Sequence, residues 1–155
     1  MKPDHPLTKI MSTTENKSIL QPYLNFGGRA EEAIEFYKTA LGAEVALLFR
    51  FKDNPTPGQS SPEVAEKVMH ANLRIGQSTL LLSDGRCTGS TEFKGVSLSL
   101  IVADEAEAGK RFAALAEGGE VQMPLAKTFF SPSFGMVEDK FGVGWMVLVQ
   151  SPETI

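Results

Sequence analysis

Apolar positions along this chain switch between two periods, and the switches mark its elements. Ala33, Ile34, Tyr37 and Leu41 recur at helical spacing and predict a helix over Ala30–Leu41, stopped by Gly42. Leu20–Phe26 before it is short, apolar and closed by Gly27-Gly28, which predicts a strand with Pro22 at its start or on a sheet edge. Ala43–Phe51 reads as a strand, and Asp53–Glu63, with three prolines and a glycine, as a loop. Val68–Ile75 alternates strictly, with His70, Asn72 and Arg74 on one face and Ala71, Leu73 and Ile75 on the other. A turn at Gly76-Gln77 then returns the chain through Ser78–Asp84 as a hairpin.

The second half repeats this order. After a polar connector, Gly85–Lys94, a strand is expected over Gly95–Val102 and a helix over Asp104–Glu117, with Asp104 as its N-cap. Gly118-Gly119 ends that helix, Glu120–Met123 is a short strand, and Pro124–Phe134 is a loop rich in aromatics. Gly135–Phe141 and Trp145–Gln150 form a last hairpin, with Trp145, Val147 and Val149 on the face beneath the second helix. The letters repeat only faintly. A shift of about 75 carries Ala33 to Ala108 and Tyr37 to Phe112, and a shift of about 66 carries Leu80-Leu81-Leu82 to Met146-Val147-Leu148. The expected fold class is α+β: two strand–helix–three-strand modules (19–84 and 95–150) with mixed, largely antiparallel sheets, helices on the convex side, behind a polar tail over 1–18.

Composition narrows the function. The 155 residues are 42% hydrophobic and 22% charged, enough apolar mass for one compact core. A net charge of −4 argues against nucleic acid as the partner, since phosphate tracking needs a surplus of Lys and Arg. No apolar run reaches membrane-spanning length, so no membrane partner is expected. A single cysteine, Cys87, closes no disulfide within the chain and points to a reducing, cytoplasmic compartment. The first 18 residues lack the apolar stretch of a signal peptide, and both Met1 and Met11 are candidate starts.

The stretches QPYLNFGGRAEEAIEFYKTALGAEV, KVMHANLRIG, LLLSDG and FAALAEGGEVQMPLAKTFFSPSFGMVEDKFGVGWM, covering roughly Gln21–Val149, resemble the PhnB-like branch of the vicinal oxygen chelate superfamily. That superfamily includes glyoxalase I, fosfomycin-resistance transferases, extradiol dioxygenases and bleomycin-resistance proteins. The resemblance implies paired modules, a concave sheet cleft and a homodimer. Members of the branch carry the label demethylubiquinone methyltransferase, yet the bare Gly27-Gly28 lacks G-x-G-x-x-G spacing and reads as a tight turn. Superfamily enzymes hold a divalent metal from the first and last strands of each module. Carried onto this chain, those positions are Pro22, Leu80, Ser97 and Met146, and none suits a hard cation. No cofactor is therefore expected, and a divalent metal has no support at the usual positions.

Candidate site residues follow from the strand faces. His70 and Asp84 are the candidate acid–base groups, on the reading that position 70 opposes 82 and that Leu80, Leu82 and Asp84 continue the face of His70 and Asn72. Asn72, Leu80, Leu82, Ser97 and Met146 are expected to line the cleft. Lys127, Thr128 and Phe130 join them from the loop Leu125–Phe134, whose three phenylalanines are expected to pack on the core, line a ligand or bury in a dimer interface. Two functions stay open. One is a protein binding a small molecule without the usual metal. The other is a metal-dependent or His70-assisted enzyme (isomerase, lyase or transferase).

Overall fold

The computed structural model describes residues 17–56 and 61–151. Residues 1–16 of the expected polar tail, with both start methionines and His5, and residues 57–60 of the proline-rich loop lie outside the described residues.

Among the described residues, eight strands and two α-helices follow one another in two similar runs. The first run is β1 (Tyr23–Asn25), α1 (Ala30–Leu41), β2 (Glu44–Arg50), β3 (Val68–Ile75) and β4 (Ser78–Ser83). The second is β5 (Ser97–Val102), α2 (Glu105–Ala116), β6 (Glu120–Ala126), β7 (Phe134–Glu138) and β8 (Gly144–Val149). Each run makes its own four-stranded sheet, in the orders β1-β4-β3-β2 and β5-β8-β7-β6. Pairing is parallel in β1/β4 and β5/β8 and antiparallel elsewhere, so the chain is α+β with two mixed sheets.

Helix α1 forms where the apolar stripe predicts it, and Ala33, Ile34, Tyr37 and Leu41 are all buried. Full burial of Ile34 and Tyr37 stabilises the fold by about 1.5–3 kcal/mol each. Gly42 ends the helix in the left-handed region, its N–H donating to Lys38 O, a geometry that favours glycine. The N-terminus has no local cap, because the Arg29 side chain makes no capping bond. A distant carboxylate replaces it. Asp84 Oδ1 accepts from Gly28 N at 2.8 Å and Ala30 N at 2.7 Å. Helix α2 is capped locally, as its sequence predicts: Asp104 Oδ1 accepts from Glu107 N at 2.8 Å.

One hydrophobic core runs through both modules. Tyr37 of α1 stacks edge-on against Trp145 of β8, and Phe26 likewise against Phe141. Arg111 of α2 donates to Ala40 O, tying the helices together. Trp145, Val147 and Val149 are buried, as the alternation of β8 predicts. The face of each sheet away from this core has no covering element among the described residues, and Leu47, Phe49, Ile101 and Met123 stay exposed there.

Several boundaries differ from the expectation, and β1 spans Tyr23–Asn25 rather than Leu20–Phe26. Strand β6 continues to Ala126, through Pro124, so the aromatic loop is shorter. Pro124 is tolerated because β6 is an edge strand whose register to β7 slips between Met123 and Ala126. Strand β7 stops at Glu138 rather than Phe141, because Asp139 turns the chain by accepting from Phe141 N and Val143 N.

Candidate functional site

The hairpin register decides which side chains share a face. Ile75 opposes Ser78, so Gly76 and Gln77 alone make the turn, and Ala71 opposes Leu82. His70 therefore does not oppose Leu82. A one-residue slip turns a whole strand over. The expectation that Leu80, Leu82 and Asp84 share the face of His70 is corrected: Leu82 is fully buried on the core side, and Leu80 is buried beside Leu73. The residues of β4 beside Asn72 and Arg74 are Leu81 and Thr79.

The open face of the first sheet carries a row of paired positions, Tyr23–Leu81–Asn72–Leu47, running across β1, β4, β3 and β2. Beside it, Asn25 pairs with Ser83, and His70 with Phe49. On this face His70 has two polar partners. Its Nδ1 lies 3.0 Å from the Tyr23 hydroxyl, and its Nε2 lies 2.7 Å from Asn72 Oδ1. The Tyr23 and His70 rings are 5.5 Å apart, reaching towards each other over β4. Tyr23, rather than the neighbouring Pro22 to which the resemblance points, carries a polar group of the first strand on this face. The signal was present in the alternation of β1: its outward residues are Tyr23 and Asn25, while Leu24 is buried.

Asp84 has a different place. It is 1% exposed, and besides capping α1 its Oδ2 accepts from Val68 N at 2.8 Å. With three backbone donors on its carboxylate, it joins helix α1 to the start of β3 and does not meet His70, whose polar partners are Tyr23 and Asn72. Gly27 and Gly28 both take positive φ, 65° and 118°, which favours glycine. A side chain at Gly27 would press on Thr91 and on the backbone of Gly89 and Ser90, within 3.2–3.3 Å.

On the open face of the second sheet, Met146 lies between Ser99 and Met136, and Ser97 beside Gly144 and Glu138. Lys127 is exposed. The Thr128 hydroxyl is committed to its own loop, accepting from Ser131 N at 3.0 Å and Phe130 N at 3.3 Å. Phe130 packs edge-on between Phe129, which is 96% exposed, and Phe134 at the end of the second sheet. A cavity of about 510 Å³ opens where the modules meet, and Pro22, Leu80, Ser97, Leu98 and Trp145 are among its walls.

The donor set at the four positions that the sequence resemblance implies does not fit a divalent ion. Leu80 and Met146 offer no oxygen or nitrogen, Pro22 offers only a carbonyl that already accepts from Leu81 N, and Ser97 has a lone hydroxyl. Among the described residues, no three His, Cys, Asp or Glu side chains converge. Cys87 is no better placed for chemistry: burial, and then the Asp84 charge, push its thiol above the ordinary range.

The comparisons with known proteins agree with this architecture. A family model described as 3-demethylubiquinone-9 3-methyltransferase matches residues 18–148, and the chain belongs to that PhnB-like family. Protein YjdN of Escherichia coli K12 is 37% identical over 139 residues, covering 84% of this chain and 94% of its own. The crystal structure of PA1353 from Pseudomonas aeruginosa superposes with a TM-score of 0.74 at 44% identity, covering 85% of this chain and 98% of that one. The PhnB protein of Bacillus cereus gives 0.69 at 29% identity, covering 86% and 100%. The fosfomycin-resistance protein FosX of Listeria monocytogenes, at 10% identity, TM-score 0.61 and coverage of 89% and 97%, shares the fold alone.

Proposed function

We propose that two copies of this chain pair through their open sheet faces and enclose a cleft for a small apolar or aromatic molecule, held without a divalent metal. One observation carries this reading. Each sheet has one face sealed into the core, while the other face, uncovered among the described residues, presents Tyr23, Leu47 and Phe49 in the first module and Ile101 and Met123 in the second. Exposed apolar side chains arrayed on a face rimmed with polar groups mark interaction sites. In this reading a second copy supplies a surface of matching character, since Met136 and Met146 pair on the open face of the second sheet as Leu81 and Asn72 do on the first. Asn72, Ser97 and Lys127 then provide polar contacts, and Phe130 closes the rim. The single Cys87, which closes no disulfide within the chain, suits a reducing compartment such as the cytoplasm.

Methyl transfer, which the family description names, has less support here. Parallel pairing is confined to β1/β4 and β5/β8, so no doubly wound parallel sheet offers a nucleotide crevice. The glycine turn at the start of α1 is filled by the Asp84 carboxylate, which takes the donors an anionic cofactor would need.

Sedimentation equilibrium at micromolar concentration, with metal analysis of the same sample, tests the proposal. A dimer at background metal content is expected, and the double substitution Leu47→Glu with Met123→Glu should shift it to monomer. A wild-type monomer, or one stoichiometric divalent ion per chain, would overturn it.

A further inference from the structure

We propose that Tyr23, His70 and Asn72 form a metal-independent proton relay in which Tyr23 is the catalytic residue that touches the ligand. The inference rests on the cleft reading above, since a closed cleft is what shields the relay from water.

The hydrogen bonds set the direction of transfer. Asn72 Oδ1 only accepts, so the His70 nitrogen 2.7 Å away, Nε2, carries the ring proton. In a neutral imidazole Nδ1 is then an acceptor, and the Tyr23 hydroxyl, 3.0 Å away, donates to it. Asn72 thus acts as a positioning residue that holds the tautomer, His70 is the base, and the phenol oxygen is the end of the chain open to a ligand. Tyr23 is 47% exposed, on the sheet face that the proposed cleft uses.

Folding does not explain the arrangement. Hydrogen bonds that water could replace contribute little net stability, about 1 kcal/mol or less each. Yet three polar side chains from two strands are aligned across an intervening third, beside the apolar Leu47, Phe49 and Leu81. Aligned polar groups on an apolar, closable floor are what general acid–base transfer requires.

The chemistry balances without an oxidant or a metal. A ligand X–H gives its proton to the Tyr23 oxygen while the Tyr23 proton moves to His70 Nδ1. The products are X⁻, a neutral phenol and an imidazolium. Reversal of the chain delivers a proton to a different atom of the ligand and restores the neutral pair, so the net reaction is an isomerisation. The ligand class is an aromatic or apolar molecule with an acidic C–H beside a carbonyl, and the reaction is keto–enol interconversion.

The test uses the full chain treated with chelator, with phenylpyruvate as probe. Calorimetry reads binding, and ultraviolet absorbance reads enol-to-keto conversion. Wild type is expected to bind and to accelerate conversion over buffer. Tyr23→Phe and His70→Gln should each lose about 100-fold or more of that acceleration, with binding retained by Tyr23→Phe. Imidazole ¹⁵N spectra should show the Nε2–H tautomer of His70 in wild type and a mixed population in Asn72→Leu. Binding without acceleration, an undiminished rate in Tyr23→Phe, or a proton on Nδ1 would overturn the relay and leave the cleft standing. A monomer that neither binds nor accelerates would overturn both.

Discussion

Two polar networks in this molecule use hydrogen bonds of the same length for opposite ends. Around Asp139, which is 2% exposed, four donors converge: Tyr37 Oη at 2.6 Å, Trp145 Nε1 at 2.9 Å, Phe141 N at 2.9 Å and Val143 N at 3.0 Å. These bonds join α1 of one module to the last hairpin of the other. Around His70 two partners meet among the described residues, on a face open to solvent. Burial makes the first network indispensable to the fold, because each donor stranded without Asp139 would keep its full desolvation cost. Exposure makes the second dispensable to the fold and therefore available for chemistry.

The largest expected effect breaks the buried network. Asp139→Ala strands four donors and should cost about 4 kcal/mol or more in urea denaturation, at about 1–3 kcal/mol for each group left unpaired. If that variant fails to fold, Tyr37→Phe isolates one bond and should cost about 1–2 kcal/mol. Burial, reinforced by the Asp139 charge, pushes the Tyr37 phenol far above its ordinary value of 10.0. The sign follows. Unfolded chains lose the Tyr37 proton above pH 10.0 and the folded chain keeps it, so this group draws stability away as pH rises beyond that value. Tyr37→Phe should flatten that alkaline slope.

Asp84→Ala comes next. It removes the cap of α1 and a bond to Val68 N, for an expected loss of about 2–3 kcal/mol read as a lower urea midpoint at unchanged slope. Against these, Tyr23→Phe and His70→Ala should each change stability by less than about 1 kcal/mol. A loss from either as large as that of Asp84→Ala would erase the contrast between the two networks.

The smallest effect belongs to the ion pair of Arg50 with Glu31. Hydrogen bonding to Arg50 holds the Glu31 carboxyl below its ordinary 4.5. Its contribution is present above pH 4.5 and lost as pH falls through the lower folded value. Because Glu31 is largely exposed, solvent screening keeps Glu31→Gln below about 1 kcal/mol at neutral pH. The difference between Glu31→Gln and wild type should vanish in acid.

The sequence by itself determined the module order, both α-helices, the Asp104 cap, the buried face of β8 and the family, because periodicity and turn residues act over a few neighbours. Helix α1 matched residue for residue for that reason. Only the tertiary structure decided the rest. Whether position 70 opposes 82 or 83 depends on a turn of two residues rather than one centred on Gly76, and that choice takes Leu80 and Leu82 off the face of His70 and buries them. The role of Asp84 depends on a helix N-terminus more than fifty residues earlier, and Tyr23 gains its meaning only when β4 brings it beside His70. Side-chain periodicity says which residues alternate, whereas strand register, set by the hydrogen-bond ladder between distant segments, says which of them meet.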